Sequence, residues 1–185
     1  AIRRLTDAGY VFIGMDHFAK PADELAIAQR QGRLHRNFQG YSTHAEADLI
    51  ACGVSAIGKI GPTYVQNVRT LNDYYDRLDR GMLPVLRGIQ LTPDDLLRRS
   101  IIQALMCQFT LPIESFEIAH LINFKSYFAT ELADLAVMEK EGLVTVTDQW
   151  ITVNPAGRLL VRAIAMVFDR YLRFDRERIR YSKVI

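Results

Sequence analysis

The sequence predicts a mixed α/β fold in two parts: a strand-and-helix portion over residues 1–91, then a mainly helical, winged-helix-like module over residues 92–185. Three observations predict it. A helix ending at Gly9, an apolar run from Tyr10 to Met15, a polar stretch and a second helix have the rhythm of an α/β barrel or an open α/β sheet. Thr92-Pro93-Asp94-Asp95 is a strong helix start, with an N-cap threonine, proline at the first helical position and an acid three residues on. The remainder of the chain reads as three helices, a two-stranded ribbon and a last helix, which is the order of a winged helix.

Each element has a local reason. Ile2 to Ala8 form the last turns of a helix, ended by Gly9 in a position that tolerates positive φ. YVFIGM is rich in aromatic and branched residues and reads as a buried strand. After the polar DHFAK, Pro21 opens a helix to about Arg30, with Asp23 and Glu24 favourable at its N-terminus. Gln31 to His44 show no clean period and read as a functional loop. DLIACGVSAIGKIG, residues 48–61, suits a strand whose backbone comes close to something. Thr70 caps a helix closed by Gly81, with Leu71, Tyr74, Tyr75 and Leu78 as its apolar stripe. In the second part a helix runs to about Cys107, a short one covers Ile113 to Ile122, and a third runs from Phe124 to Lys140. LVTV and WITV form the ribbon around a DQ turn, and Asn154-Pro155 start a long final helix.

Composition narrows the function classes. A 49% hydrophobic and 24% charged chain is an ordinary globular one, and no apolar stretch approaches the roughly 20 residues of a membrane span. A net charge of +2 is too small to indicate nucleic acid, and the third helix sets Lys125 and Lys140 against Glu131, Asp134 and Glu139, which argues against DNA binding. The basic tail from Arg170 to Lys183 is read as a solvated face and tail, or as an anion-contacting or domain-docking segment. Cys52 and Cys107, far apart in apolar runs, fit buried free thiols in a reducing compartment. The chain opens in mid-element and is expected to be part of a longer protein.

Two places carry chemistry. Asp16-His17 is a candidate for proton transfer, although neighbours at a strand end usually point apart. The loop LHRNFQGYSTH, with Arg33 before it, crowds Arg33, His35, Arg36, Gln39, His44, Phe38 and Tyr41 together. Guanidinium matches carboxylate geometry and flat rings stack on Phe or Tyr, so the loop suits an anionic, aromatic or nucleoside-like ligand; a purely structural loop explains it equally well.

GMDHFAKPADELAIAQR, LHRNFQGYSTH, DLIACGVSAIGKIG and GRLLVRAIAMVFDRYL…YSKVI resemble the C-terminal part of the oxygen-independent coproporphyrinogen III oxidases, which are radical S-adenosylmethionine enzymes of haem synthesis. The sister group of haem-chaperone-like radical proteins carries YEISNFA and HNxxYW where this chain has MDHFAKP and LHRNFQGY. The resemblance implies the last strands and helices of an incomplete parallel α/β barrel followed by a helical C-terminal domain. It implies a cytoplasmic enzyme, monomeric when complete, that converts coproporphyrinogen III with an electron donor, S-adenosylmethionine and a 4Fe–4S cluster. No nucleic acid or membrane is implied as partner. The cluster would sit on a CxxxCxxC motif, to which neither Cys52 nor Cys107 belongs, so the cluster and the N-terminal barrel portion are expected outside this chain and the chain alone is expected to be inactive. A second S-adenosylmethionine is implied at Phe38, Gln39 and Ile57. Arg33, His35 and Arg36 are our own candidates for contacts to the substrate's propionates.

Overall fold

The computed structural model describes residues 1–174. It begins with α1 (Ile2–Asp7), after which Gly9 takes a φ of 79°. Next come β1 (Val11–Gly14) and β2 (His17–Ala19), an antiparallel hairpin. Among the described residues Tyr10–Met15 thus pairs in an antiparallel hairpin, and no parallel barrel strand is seen. Only Met15 and Asp16 separate the two strands, and a parallel partner would need a crossover of a dozen residues or so. Helix α2 (Glu24–Arg30) starts later than expected, because Asp23 and not Pro21 caps it: the Asp23 carboxylate accepts from the Leu25 N–H.

The expected loop is also a hairpin, β3 (His35–Asn37) with β4 (Gly40–Ser42). Strands β5 (Ile57–Ile60), β6 (Thr63–Asn67) and β7 (Val85–Gln90) make a three-stranded antiparallel sheet. The close approach expected of the glycine-flanked strand is the chain meeting itself, since a Cβ on Gly58 would stand 2.8 Å from the Leu49 carbonyl oxygen. Between β6 and β7, α3 (Leu71–Asp79) is capped by Thr70 as expected. Its stripe, however, is largely bare: Leu71, Tyr75 and Leu78 are exposed, and Tyr74 alone is drawn in, accepting from the Gly53 N–H at 3.0 Å.

The second part keeps the expected order. Helix α4 (Pro93–Gln108) opens on a reciprocal cap: the Thr92 hydroxyl accepts from the Asp95 N–H, and the Asp95 carboxylate accepts from the Thr92 N–H. Two unforeseen features come after it. Phe109 ends α4 in the left-handed region, φ 61°, and β8 (Thr110–Pro112) adds a third strand to the ribbon. Then come α5 (Ile113–His120), α6 (Phe124–Tyr127) and α7 (Ala129–Lys140), the last two breaking one expected helix at Phe128. The ribbon β9 (Val144–Val146) and β10 (Trp150–Val153) is antiparallel in the order β8-β10-β9. The long final helix does not form. A 3-10 turn, α8 (Val161–Ala165), a second 3-10 turn and α9 (Arg170–Phe174) replace it, with Asp169 in extended conformation between the last two.

One apolar core runs through both parts, joining Ile13, Ala26, Ala28 and Leu34 to Ile101, Leu105, Leu111, Phe128, Leu135, Ile151, Ile164 and Phe168. Phe124 and Phe128 meet Phe168 at ring separations of 6.4 and 5.5 Å, which is the expected packing of the third helix on the end of the chain. Over this core lies a charged lattice. Arg98 bridges Asp94 and Glu131, Arg170 reaches Asp94 and Asp95, and Arg173 reaches Asp134 and Glu131. Arg170 and Arg173, read from sequence as part of a basic tail, thus dock on α4 and α7; the rest of that tail lies outside the described residues. Cys52 is exposed, contrary to expectation, while Cys107 is buried. Among the described residues no helix is long and apolar enough to cross a membrane.

Candidate functional site

The β3–β4 hairpin is clamped to α4 by one amide. The Arg36 N–H donates to Gln103 Oε1 at 3.0 Å, and Gln103 Nε2 donates back to the Arg36 carbonyl at 2.5 Å. At the hairpin's tip Asn37 Oδ1 accepts from the Gln39 and Gly40 N–H groups at 2.8 and 3.2 Å, an Asx turn that short polar side chains favour. This turn pushes Phe38 outward, where it is 55% exposed and meets Tyr64 of β6 edge-on at 5.3 Å. Behind the hairpin the Tyr41 hydroxyl donates to the Met106 carbonyl at 3.1 Å. The lack of a side chain on Gly14 makes room for that ring, as a Cβ there would collide with the Tyr41 hydroxyl.

Between hairpin, sheet and helical module lies a cleft of about 370 Å³. Its apolar lining is Met15, Ile102, Met106, Ala165 and Met166, with Phe38 and Tyr64 as an aromatic rim. Its charged lining is mainly basic: Arg36, Lys59, Arg99 and Arg162, with Asp169 as the acid. The His35 imidazole is held below its ordinary pKa, first by burial and then by the positive charges of Lys59 and Arg99. Burial pushes the Tyr41 hydroxyl up to about 12, against the opposing pull of Arg36, so it stays a protonated donor at neutral pH. The site can therefore take a ligand with an apolar or flat body and a negative end.

Of the residues singled out from sequence, His35, Arg36 and Phe38 line this cleft. Ile57 does not, yet the register puts it on the same sheet face. Ile57 pairs with Gln66 and Lys59 with Tyr64, and residues two apart share a face. Gln39 is exposed at the hairpin tip, and Arg33 is exposed with its guanidinium on the Gln31 side chain, outside the cleft. Asp16 and His17 do not point apart: Asp16 Oδ1 lies 2.8 Å from His17 Nδ1, beside Tyr41 and away from the cleft lining.

Sequence reasoning missed Lys59, Tyr64 and the two helical walls. The signal was there for one of them. Arg99, Ile102, Gln103 and Met106 are spaced three, four and seven apart, a single face of α4, and that face mixes a cation, an amide and two apolar groups. Arg98, one residue earlier, points about 100° around the helix and joins the charged lattice instead.

Residues 91–160 match the model of the HemN C-terminal domain. The chain is 50% identical over 181 residues to an oxygen-independent coproporphyrinogen III oxidase of Escherichia coli, covering 98% of this chain and 40% of that protein. It is 48% identical over 188 residues to the one of Synechocystis, covering 100% of this chain and 40% of that protein. A solved structure, described as coproporphyrinogen III oxidase from Escherichia coli and as a radical SAM enzyme, superposes with a TM-score of 0.87 at 51% identity, over 92% of this chain and 39% of that one. This chain corresponds to the C-terminal portion of the oxygen-independent coproporphyrinogen III oxidases. It spans about 40% of the length of those relatives. Among its described residues no three His, Cys, Asp or Glu gather where a metal could be held. With Cys52 exposed and Cys107 buried, the residues present do not fit an iron–sulfur cluster.

Proposed function

We propose that this chain forms the cosubstrate- and substrate-facing part of an oxygen-independent coproporphyrinogen III oxidase. That enzyme would convert two propionate side chains of coproporphyrinogen III to vinyl groups by oxidative decarboxylation, giving protoporphyrinogen IX. The observation that carries the reading is the cleft, whose apolar floor, aromatic rim and basic wall suit a tetrapyrrole edge bearing carboxylates. Radical chemistry would be supplied by S-adenosylmethionine and a cluster held by the part of the enzyme that this chain does not span, as would the parallel barrel and the contact with an electron donor. The complete enzyme is read as a cytoplasmic monomer.

The residues here bind and orient. Phe38 and Ile57 offer apolar walls to a second S-adenosylmethionine, and Gln39 offers it a hydrogen-bonding amide from the exposed tip of the hairpin. His35 and Arg36 face the propionates; Arg33 would join them only by leaving Gln31.

A chimera tests this: the Escherichia coli relative with its matching segment replaced by this chain. In that protein Gln39→Ala removes one hydrogen-bonding group, at a cost of roughly 1–3 kcal/mol in cosubstrate binding. Turnover should fall while iron content and melting temperature hold. Unchanged turnover with unchanged S-adenosylmethionine binding would remove Gln39 from the site.

A further inference from the structure

We infer that Arg36 and Arg99 together form a carboxylate-binding subsite, so that the helical module supplies half of the grip on the ligand. The inference rests on the proposed function and adds to it a residue of α4. Both residues line the same cleft, one from β3 and one from α4. In each, Nη1 is buried without a hydrogen-bond acceptor. A buried N–H of a charged group is costly to leave unpaired, so two of them beside one cleft favour an oxyanion as its ligand. The Asp169 carboxylate, which also lines the cleft, is already engaged, with Oδ1 accepting from the Tyr171 and Leu172 N–H groups.

The geometry is set before any ligand arrives. Gln103 ties the Arg36 backbone to α4 from both sides, and Gln103 and Arg99 lie on adjacent turns of that helix. The Arg36 guanidinium lies 5.0 Å from the Tyr41 ring, which is itself fixed on Met106. A carboxylate has two oxygens and about four lone-pair sites, enough to accept from two guanidinium forks at once. Lys59, across the cleft on β5, adds long-range attraction, and the methionines and Ile102 accept the apolar body that carries the acid. Two carboxylates are chemically possible here: a tetrapyrrole propionate and the amino-acid carboxylate of S-adenosylmethionine.

The test titrates the 185-residue chain with coproporphyrin III, with its tetramethyl ester and with S-adenosylmethionine, followed by porphyrin fluorescence and by calorimetry. The wild-type chain should bind the free acid and not the ester. Arg36→Gln and Arg99→Gln should each weaken binding about ten- to a hundredfold, the loss expected of one charge-assisted hydrogen bond. Arg99→Lys, which keeps the charge and loses the fork, should fall between. If the two Gln variants weaken S-adenosylmethionine and leave coproporphyrin unchanged, the subsite stands and its carboxylate is the cosubstrate's. Should either Gln variant fail to fold, the wild-type comparison of acid and ester decides, and equal binding of both overturns the subsite. Folded variants that bind both ligands as the wild type does also overturn it, as does a wild-type chain that binds neither. The cosubstrate assignment is read separately: S-adenosylmethionine binding that falls in Gln39→Ala while the arginine variants bind both ligands as the wild type does leaves that assignment standing and removes this one.

Discussion

Replacing Arg98 by methionine should be among the most damaging single changes in this chain. The Arg98 side chain is 14% exposed and donates to both Asp94 oxygens at 3.1 and 3.0 Å, to Glu131 Oε1 at 2.9 Å and to the Phe168 carbonyl at 3.2 Å. Its partners are not equally dependent on it. Asp94 keeps Arg170 at 2.8 Å and the Tyr127 hydroxyl at 2.9 Å, so its loss is small. Glu131, with its side chain only 6% exposed, keeps Arg173 at 3.7 Å, beyond hydrogen-bonding range. Removing one partner of a buried ion pair costs about 3–5 kcal/mol, and the compensation at Asp94 puts this case near 3. For a chain of this size that corresponds to a melting temperature lower by roughly 6–12 °C. Circular dichroism melts of wild type, Arg98→Met, Glu131→Met and the double variant would check it. The double variant should cost clearly less than the sum of the singles, since it leaves no unpaired charge behind. An Arg98→Met protein melting within about 2 °C of wild type, or strict additivity, would refute the reasoning.

The same lattice sets the acid limit of stability. Burial pushes the Asp94 and Asp95 carboxyls up, but hydrogen bonds from Tyr127 and Arg98 to Asp94, and from Thr92 and Tyr171 to Asp95, with the nearby arginine charges, outweigh it and hold both below the ordinary 3.8. A depressed carboxylate stabilises the fold above its unfolded pKa and loses that as pH falls through the folded value, so the melting temperature should hold from pH 7 to about 5 and drop below about 4. A melting temperature still flat at pH 3 would contradict this. With an aromatic disulfide reagent the native chain should show one reactive thiol, the exposed Cys52, and two after denaturation, because Cys107 is buried and pushed up to about 12 by that burial. Residues 92–185 expressed alone should unfold cooperatively but at a lower temperature than the whole chain. Gln29 and Tyr41, which hold the Cys107 and Met106 carbonyls at the end of α4, would be gone, and a non-cooperative melt would reject an autonomous module.

What the sequence made legible was mostly local chemistry. The Thr92–Asp95 cap, the Thr70 cap and the turn at Gly9 depend on groups within a few residues of each other, and all form as read. The ribbon from Val144 to Val153 and the packing of Phe124 and Phe128 on the last segment came from alternation and helical spacing. Three-residue strands such as His17–Ala19 and His35–Asn37 are too short to show a period, so two hairpins passed for a polar link and a loop. The break of the final helix at Asp169 had no glycine or proline to announce it. Half of the candidate site was legible because His35, Arg36 and Phe38 crowd into one segment. The other half comes from Lys59, Arg99 and Arg162, which only the tertiary fold brings to the cleft. Gln39 and Arg33 share that segment but leave the cleft: Gln39 sits in the exposed turn between the strands, and Arg33, ahead of β3, is exposed and held on Gln31.

The most direct test of the central claim is turnover by the chimera in which this chain replaces the matching segment of the Escherichia coli relative. Reconstituted anaerobically with iron, sulfide and S-adenosylmethionine and supplied with reductant, it should convert coproporphyrinogen III to protoporphyrinogen IX, measured as the fluorescent porphyrin after oxidation. A folded chimera with full iron content that cleaves S-adenosylmethionine yet forms no protoporphyrinogen would show that this chain does not build the substrate side of such an oxidase.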